Sequence, residues 1–234
     1  DTYRPANQLV VGCKTTVIPN SVTEISNYAF VRCETLENIT IPEGVTRVAE
    51  MAITGCDQLQ RLTINDDVTS IGESAFLYCS ELKTIVIPDS IVCIDSRAFE
   101  YTGLISVNIP KNVQSIGNSA FLGCSELNNI SIPNSVTEIG AMAFLGCSSL
   151  TSITIPEGIT SIGKYTFSEC RQLSSITFPN NLKTIEEGAF EYCQNLKRLN
   201  FPNSLTEIKT KAFQYCSGLT ELNFPEGILE IGEL

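Results

Sequence analysis

Apolar residues recur along this chain in one fixed phrase, and the phrase returns every 23 residues. Nine leucines begin successive units, and every step between them is 23 residues except one step of 22. They are Leu36, Leu59, Leu82, Leu104, Leu127, Leu150, Leu173, Leu196 and Leu219. The consensus is L-x-x-I-x-I-P-x-x-V-T-x-I-G-x-x-A-F-x-x-C-x-x, seen almost unaltered at residues 150–172. A period this short predicts a solenoid in which each unit forms one turn.

Each part of the unit predicts a local structure. In "SITIP", Ile153 and Ile155 alternate with polar residues, which indicates a short strand with one buried face. The proline then ends the strand in a turn, because it lacks the N–H that would continue a ladder. A second, shorter extended piece follows in V-T-x-I-G. In A-F-x-x-C, at residues 143–147, the spacing places the apolar side chains on one face of a single helical turn.

Stacking the units in register aligns inward columns of Leu, two Ile, Val, Ile, Phe and Cys, with Ala where the chain packs closely. One unit alone cannot fold, because ordering its backbone costs about 1 kcal/mol or more per residue and it buries too little apolar surface. Residues 36–218 form eight complete units, and residues 219–234 form a partial one. We therefore predict an N-terminal cap at residues 1–16, and a solenoid of about nine to ten turns over residues 17–234.

A cysteine occupies the same position in most units. The repeat favours a buried column of thiols, because a thiol packs like a small apolar side chain. A disulfide framework is the alternative, since adjacent strands lie within disulfide reach. The column splits into runs of three and five, so neighbour pairing leaves a thiol in each run unless Cys13 completes the first. Cys93 lies outside the column, and we expect it to face outward and react first with thiol reagents.

Composition excludes several classes of function. The 26 acidic and 15 basic residues give a formal net charge of −11, which argues against binding to nucleic acid or to anionic lipid. No apolar run is long enough for direct membrane insertion. The chain has no histidine, and no nucleophile elbow, phosphate-binding loop or dinucleotide fingerprint. We therefore expect no enzymatic activity, and no catalytic, cofactor-binding or metal-binding residues.

Two phrases, "TVIPNSVTEISNYAFVRC" at residues 16–33 and "SIPNSVTEIGAMAFLGCSSL" at residues 131–150, resemble the BspA-like leucine-rich repeats of bacterial and protozoan surface proteins. A treponemal leucine-rich repeat protein belongs to the same group. The resemblance covers about residues 9–234. It implies a leucine-rich repeat solenoid, curved and right-handed, with short parallel β-strands and one helical turn per repeat. Asn65 in place of the turn proline, Ile53 in place of Phe, and the shortened unit 82–103 predict local irregularities.

The same resemblance implies a non-enzymatic protein that is secreted or on the cell surface, with its signal or anchor outside this chain. It implies adhesion or protein binding, and the expected ligand is a host matrix protein or another surface protein. The alternative is a passive spacer or scaffold segment of a larger surface protein. Fold alone does not decide between these functions.

Two outward-facing surfaces are candidates for protein binding. Tyrosines lie between the Phe and the Cys in two pairs of adjacent units, where each pair should stack, and leucines lie beside them. These residues are Tyr78, Tyr101, Tyr192 and Tyr215, with Leu77, Leu122 and Leu145. The alternative surface is the polar row on the outer face of the first strand. It comprises Thr40, Thr63, Asn108, Ser131, Thr154, Thr177, Asn200 and Asn223.

Overall fold

The computed structural model describes residues 14–233 and forms a solenoid of about nine turns with the predicted 23-residue spacing. The leucine-rich repeat fold class is therefore confirmed. Residues 1–13, which include Cys13 and most of the predicted cap, lie outside the described residues. Each complete turn has three sides: a first-strand side, a second-strand side, and a side formed by the A-F-x-x-C segments, which we name the turn wall.

Short parallel strands form the first two sides. In chain order they are β1 (Thr15–Val17), β2 (Asn38–Thr40), β3 (Arg47–Val48), β4 (Arg61–Thr63), β5 (Ser70–Ile71), β6 (Cys93–Ile94), β7 (Ser106–Asn108), β8 (Ser115–Ile116), β9 (Asn129–Ser131), β10 (Glu138–Ile139), β11 (Ser152–Thr154), β12 (Ser161–Ile162), β13 (Ser175–Thr177), β14 (Thr184–Ile185), β15 (Glu207–Ile208) and β16 (Glu230–Ile231). Paired strands are in register by one repeat, so that Ile153 lies opposite Ile176.

The strands pair in several separate sheets. On the first-strand side the sheets are β1-β2-β4, β7-β9 and β11-β13. On the second-strand side they are β3-β5-β6-β8-β10 and β12-β14-β15-β16. Among the described residues, the shortened unit and the units that begin at Leu196 and Leu219 contribute no strand to the first side.

The turn wall differs from the expected helical turn, because the A-F-x-x-C segments in residues 14–233 contain turns and no helix. The Cys147 N–H donates to the Phe144 carbonyl within the unit (3.1 Å), and the Gly146 N–H donates to the Ser168 carbonyl of the next unit (2.8 Å). The backbone φ is positive at Met142 (59°) and at Gly146 (75°). A left-handed residue interrupts a right-handed helix, so the helical spacing here results from consecutive turns.

The predicted inward columns form the core. Eight of the nine leading leucines are buried, and Leu219 in the partial last unit is half-buried. The phenylalanine column is a continuous stack of rings, with centroids 5.3–5.5 Å apart, over Phe76, Phe99, Phe121, Phe144, Phe167, Phe190 and Phe213. Because each ring packs between its two neighbours, every turn depends on the adjoining turns for its burial.

Two departures from the repeat are compensated by hydrogen bonds. The Asn65 side chain donates to the Ile41 carbonyl (3.3 Å) and accepts from the Asp67 N–H (2.6 Å), so it stabilises the turn that lacks its proline. Thr102 fills the gap in the cysteine column. It is buried, and its hydroxyl donates to the Phe99 carbonyl (2.9 Å).

Candidate protein-binding surface

The residue before the column cysteine, or before Thr102, has a left-handed backbone in every described unit, with φ of 54–75°. We name this set the pre-cysteine row. It comprises Arg32, Gly55, Tyr78, Tyr101, Gly123, Gly146, Glu169, Tyr192 and Tyr215. Glycine is the residue that adopts this conformation without steric penalty, and bulky side chains adopt it rarely. Four of the nine positions nevertheless carry tyrosine.

The four tyrosines form the two stacked pairs that the sequence predicts. Tyr78 and Tyr101 have ring centroids 5.2 Å apart at an interplanar angle of 5°, and Tyr192 and Tyr215 have centroids 4.5 Å apart at 19°. Tyr78, Tyr101 and Tyr215 are 51%, 43% and 57% exposed, and Tyr192 is half-buried. The wall thus presents two pairs of aromatic faces to solvent.

The backbone beneath these rings is held by hydrogen bonds to the next turn. The Tyr78 N–H donates to the Glu100 carbonyl (2.9 Å), and the Tyr101 N–H donates to the Leu122 carbonyl (2.8 Å). The Tyr101 ring lies over the following unit, so close to Gly123 that a Cβ on that residue would collide with the ring. The tyrosine rings are therefore presented on a fixed backbone, and the Tyr101 ring lies over Gly123, the next residue of the row.

The leucines beside the tyrosines divide into two groups. Leu122 and Leu145 are half-buried at the surface of the wall, as the binding hypothesis requires. Leu77 is only 6% exposed, so its assignment to an exposed surface is wrong. In the next turn the equivalent position is Glu100, which is itself buried and paired with Arg97.

Met142 is an exposed residue of the wall that sequence reasoning did not identify. It is 37% exposed and lies three residues before Leu145, whose N–H donates to the Met142 carbonyl (3.1 Å). The sequence does not reveal the left-handed backbone at Met142. The equivalent positions in the other units also have positive φ, but they carry varied residues, and Gly188 is the only glycine among them.

Acidic groups surround the second tyrosine pair. Burial raises the pKa of Tyr192, and the Tyr215 phenol and the Glu191 carboxylate raise it further. On the same wall, the Tyr165 hydroxyl donates to Glu187 (2.9 Å), and this hydrogen bond raises the pKa of Tyr165. Both phenols remain protonated at neutral pH, so the Tyr192 hydroxyl can donate a hydrogen bond to a ligand, whereas the single hydroxyl hydrogen of Tyr165 is engaged by Glu187.

The alternative strand-face surface is exposed along its whole length. All eight of its residues are exposed, and they form a polar row above the buried strand positions. A concavity interrupts this row. It is a cleft of about 450 Å³ between β9 and β11, and Ser131 and Thr154 line it.

The nine cysteines in the described part of the chain are all free thiols, and seven of the eight in the column are buried. Seven column thiols donate to a main-chain carbonyl of the preceding turn at 3.0–3.3 Å, and six of these carbonyls belong to phenylalanines. Burial raises the pKa of Cys124 to about 12 and that of Cys147 well above its ordinary value. The column thiols are thus both packing groups and hydrogen-bond donors.

Two cysteines differ from the column pattern. Cys93 is half-buried, in contrast to its expected outward exposure; its thiol lies 3.1 Å from Asp95 Oδ1, and burial raises its pKa. Cys33 is also half-buried, and its hydrogen bond with the Cys56 thiol lowers its pKa to about 7. The lowered pKa favours Cys33 over Cys93 as the more reactive thiol.

Within residues 14–233, no group of three or more His, Cys, Asp or Glu residues is placed to hold a metal ion. The same residues contain no helix long and apolar enough to cross a membrane.

Solved structures share this architecture. A leucine-rich repeat protein from Bacteroides ovatus is 27% identical, with a TM-score of 0.73, and the match covers 92% of this chain and 67% of that one. The T. pallidum leucine-rich repeat protein is 27% identical, with a TM-score of 0.54, covering 81% and 80%. The pneumococcal vaccine antigen PcpA, at 20% identity and a TM-score of 0.53, covers 85% of this chain and 66% of its own, and shares the fold.

Among curated proteins, none matches this chain. The family model described as "BspA type Leucine rich repeat region (6 copies)" matches residues 10–128 and 114–234, which together cover almost the whole sequence. The chain belongs to the BspA-type leucine-rich repeat family.

Proposed function

We propose that this chain is a non-enzymatic interaction protein, secreted or on the cell surface, that binds a protein ligand through the two tyrosine pairs of the turn wall. Leucine-rich repeat solenoids are general scaffolds for protein–protein interaction. One protein with the same fold is a vaccine antigen, which supports a location outside the cell. The absence of histidine and of catalytic motifs supports a binding function over an enzymatic one.

The observation that carries the proposal is the backbone conformation of the tyrosines. A left-handed backbone costs a residue with a side chain about 1–2 kcal/mol, whereas glycine adopts it freely. Gly123 and Gly146 occupy the same row with the same φ sign and the same pattern of hydrogen bonds. The scaffold therefore accepts glycine at these positions, and four aromatic rings, three exposed and one half-buried, are present in spite of the penalty.

Shielding of the wall from water does not account for the tyrosines. The Gly146 N–H donates to the Ser168 carbonyl (2.8 Å), and no ring lies within 4 Å of the position where a Gly146 Cβ would be. Exposed tyrosines contribute large, rigid and amphipathic contact area, which is why they are frequent anchors of protein interfaces. Leu122, Leu145 and Met142 extend the apolar surface beside the first pair.

A passive spacer is the second candidate function. The flat polar row of the strand face favours it, because such a row suits a regular sheet without any ligand. A binding protein should capture specific partners, and a passive spacer should capture none. Replacing the tyrosine pairs tests whether capture depends on them.

The first experiment is capture by the immobilised chain from extracellular-matrix proteins and from surface proteins. We expect the wild type to retain specific proteins, and the quadruple variant with Tyr78→Gly, Tyr101→Gly, Tyr192→Gly and Tyr215→Gly to lose them. Glycine is the matched replacement, because the row already contains it at residues 55, 123 and 146. Equal capture by both proteins would place the ligand elsewhere, and no capture by the wild type would support the spacer.

A further inference from the structure

Adjacent turns are joined by backbone hydrogen bonds, and one interface is unlike the others described over residues 14–233. Between the turns 127–149 and 150–172, β9 is not paired with β11 and β10 is not paired with β12. At every other described interface, at least one of the two strand sides is paired between the adjacent turns. The turn wall remains joined here, since the Gly146 N–H donates to the Ser168 carbonyl.

The neighbouring interface shows which bonds are missing. One turn later, the Ser174 N–H donates to the Thr151 carbonyl (3.0 Å) and the Lys183 N–H donates to the Thr160 carbonyl (2.8 Å). The equivalent bonds from Thr151 and Thr160 to the preceding turn are absent from the described structure. Two strand edges with complementary backbone groups therefore face each other without pairing.

A cleft lies between these two edges on the first-strand side. Its volume is about 450 Å³, and it is open to solvent on its outer side. Residues 129–134 and 152–154 line it. Ile130 and Ile153 are buried at its base, and the exposed Ser131 and Thr154 are at its rim.

We propose that this cleft binds an extended β-strand of a partner protein, which inserts between β9 and β11 and pairs with both edges. Such strand addition gains affinity from main-chain hydrogen bonds and specificity from alternate side chains. The fitting segment alternates apolar and polar residues. Its apolar side chains would enter between Ile130 and Ile153, and its polar ones would lie between Ser131 and Thr154.

The open interface removes the usual obstacle to strand insertion. Adding a strand requires the edges to lie about 9.6 Å apart, twice the normal spacing, and in a closed sheet the existing ladder must first break. Here neither strand side has a ladder across the interface, so the two blocks can rotate apart about the bonded turn wall. Rotation would break apolar contacts between the two blocks, and the apolar side chains of the inserted strand would replace those contacts.

The probe for this site is a fluorescent peptide with the sequence of residues 173–179, LSSITFP, which has the required alternation. A cysteine pair, Ser131→Cys/Thr154→Cys, staples the cleft shut when oxidised. The matched control, Asn108→Cys/Ser131→Cys, staples β7 to β9, which are already paired with these residues opposite each other. Peptide mapping verifies each disulfide against the native thiols.

We expect the peptide to bind the wild type and the oxidised control, and to bind the oxidised cleft staple at least tenfold more weakly, with recovery on reduction. The same peptide with N-methyl groups on alternate residues should also bind at least tenfold more weakly. Absence of binding to the wild type, or equal binding to the cleft staple and the control, would overturn the proposal. The tyrosine variants test a separate surface, so the two proposals fail independently.

Discussion

At the scale of single residues, the column cysteine has two roles that only the structure separates. The repeat predicts its burial, because a position that recurs every 23 residues inside an apolar phrase must face the stack. It does not predict that the thiol donates to a carbonyl of the preceding turn, since this contact joins residues 26 apart in most units. Thr102, which stands where the cysteine is missing, donates instead to the Phe99 carbonyl of its own turn.

Reaction with iodoacetamide tests the assignment of the most reactive thiol. The hydrogen bond with Cys56 lowers the pKa of Cys33 to about 7, so a large fraction of Cys33 is thiolate at neutral pH. The pKa of Cys93 is raised, so its thiolate appears only at higher pH. We expect Cys33 to be alkylated before Cys93 at pH 7, with a rate that rises through pH 7, as followed by mass spectrometry of the tryptic peptides.

The buried column thiols, Cys147 among them, are the internal control for that measurement, because they should react only after unfolding. Cys13 is monitored through its own peptide. Alkylation of Cys93 ahead of Cys33 at neutral pH would contradict the assignment.

At the scale of elements, the strands were predictable and the turn wall was only partly so. Alternation such as Ile153 and Ile155 with polar neighbours determines a strand with one buried face. The spacing of Ala143, Phe144 and Cys147 places their side chains on one face, and a helical turn and a series of β-turns satisfy this spacing equally well. The glycines at 55, 123 and 146 were the signal for a left-handed position. The tyrosines in the same row concealed it, although their own exposure and stacking were predicted.

The break in both strand sides was not predictable, because units 127–149 and 150–172 both follow the consensus closely. Hydrogen–deuterium exchange tests it with matched amides. We expect the Thr151 and Thr160 amides to exchange faster than those of Ser174 and Lys183, which are at the equivalent positions one turn later and are hydrogen-bonded. Equal protection of the two sets would show that the interface is closed in solution.

At the scale of the whole molecule, the array separates what the fold requires from what a ligand requires. The columns of Leu, Ile, Phe and Cys face inward and are shared between turns, so the consensus describes the scaffold. Function must reside in outward residues that depart from it, and the tyrosine pairs are departures that place large, stacked rings on a left-handed backbone. The period predicts the columns from sequence, whereas the ligand depends on surface residues that the repeat does not constrain.

The affinity of a captured partner for matched variants tests the central claim most directly. Titration by biolayer interferometry would compare the wild type with Tyr78→Gly/Tyr101→Gly, with Tyr192→Gly/Tyr215→Gly and with Thr154→Ala/Thr177→Ala on the strand face. We predict that at least one tyrosine variant weakens binding tenfold or more, about 1.4 kcal/mol, with unchanged circular dichroism, and that the strand-face variant binds normally. Wild-type affinity in both tyrosine variants, with loss of binding in the strand-face variant, would contradict it.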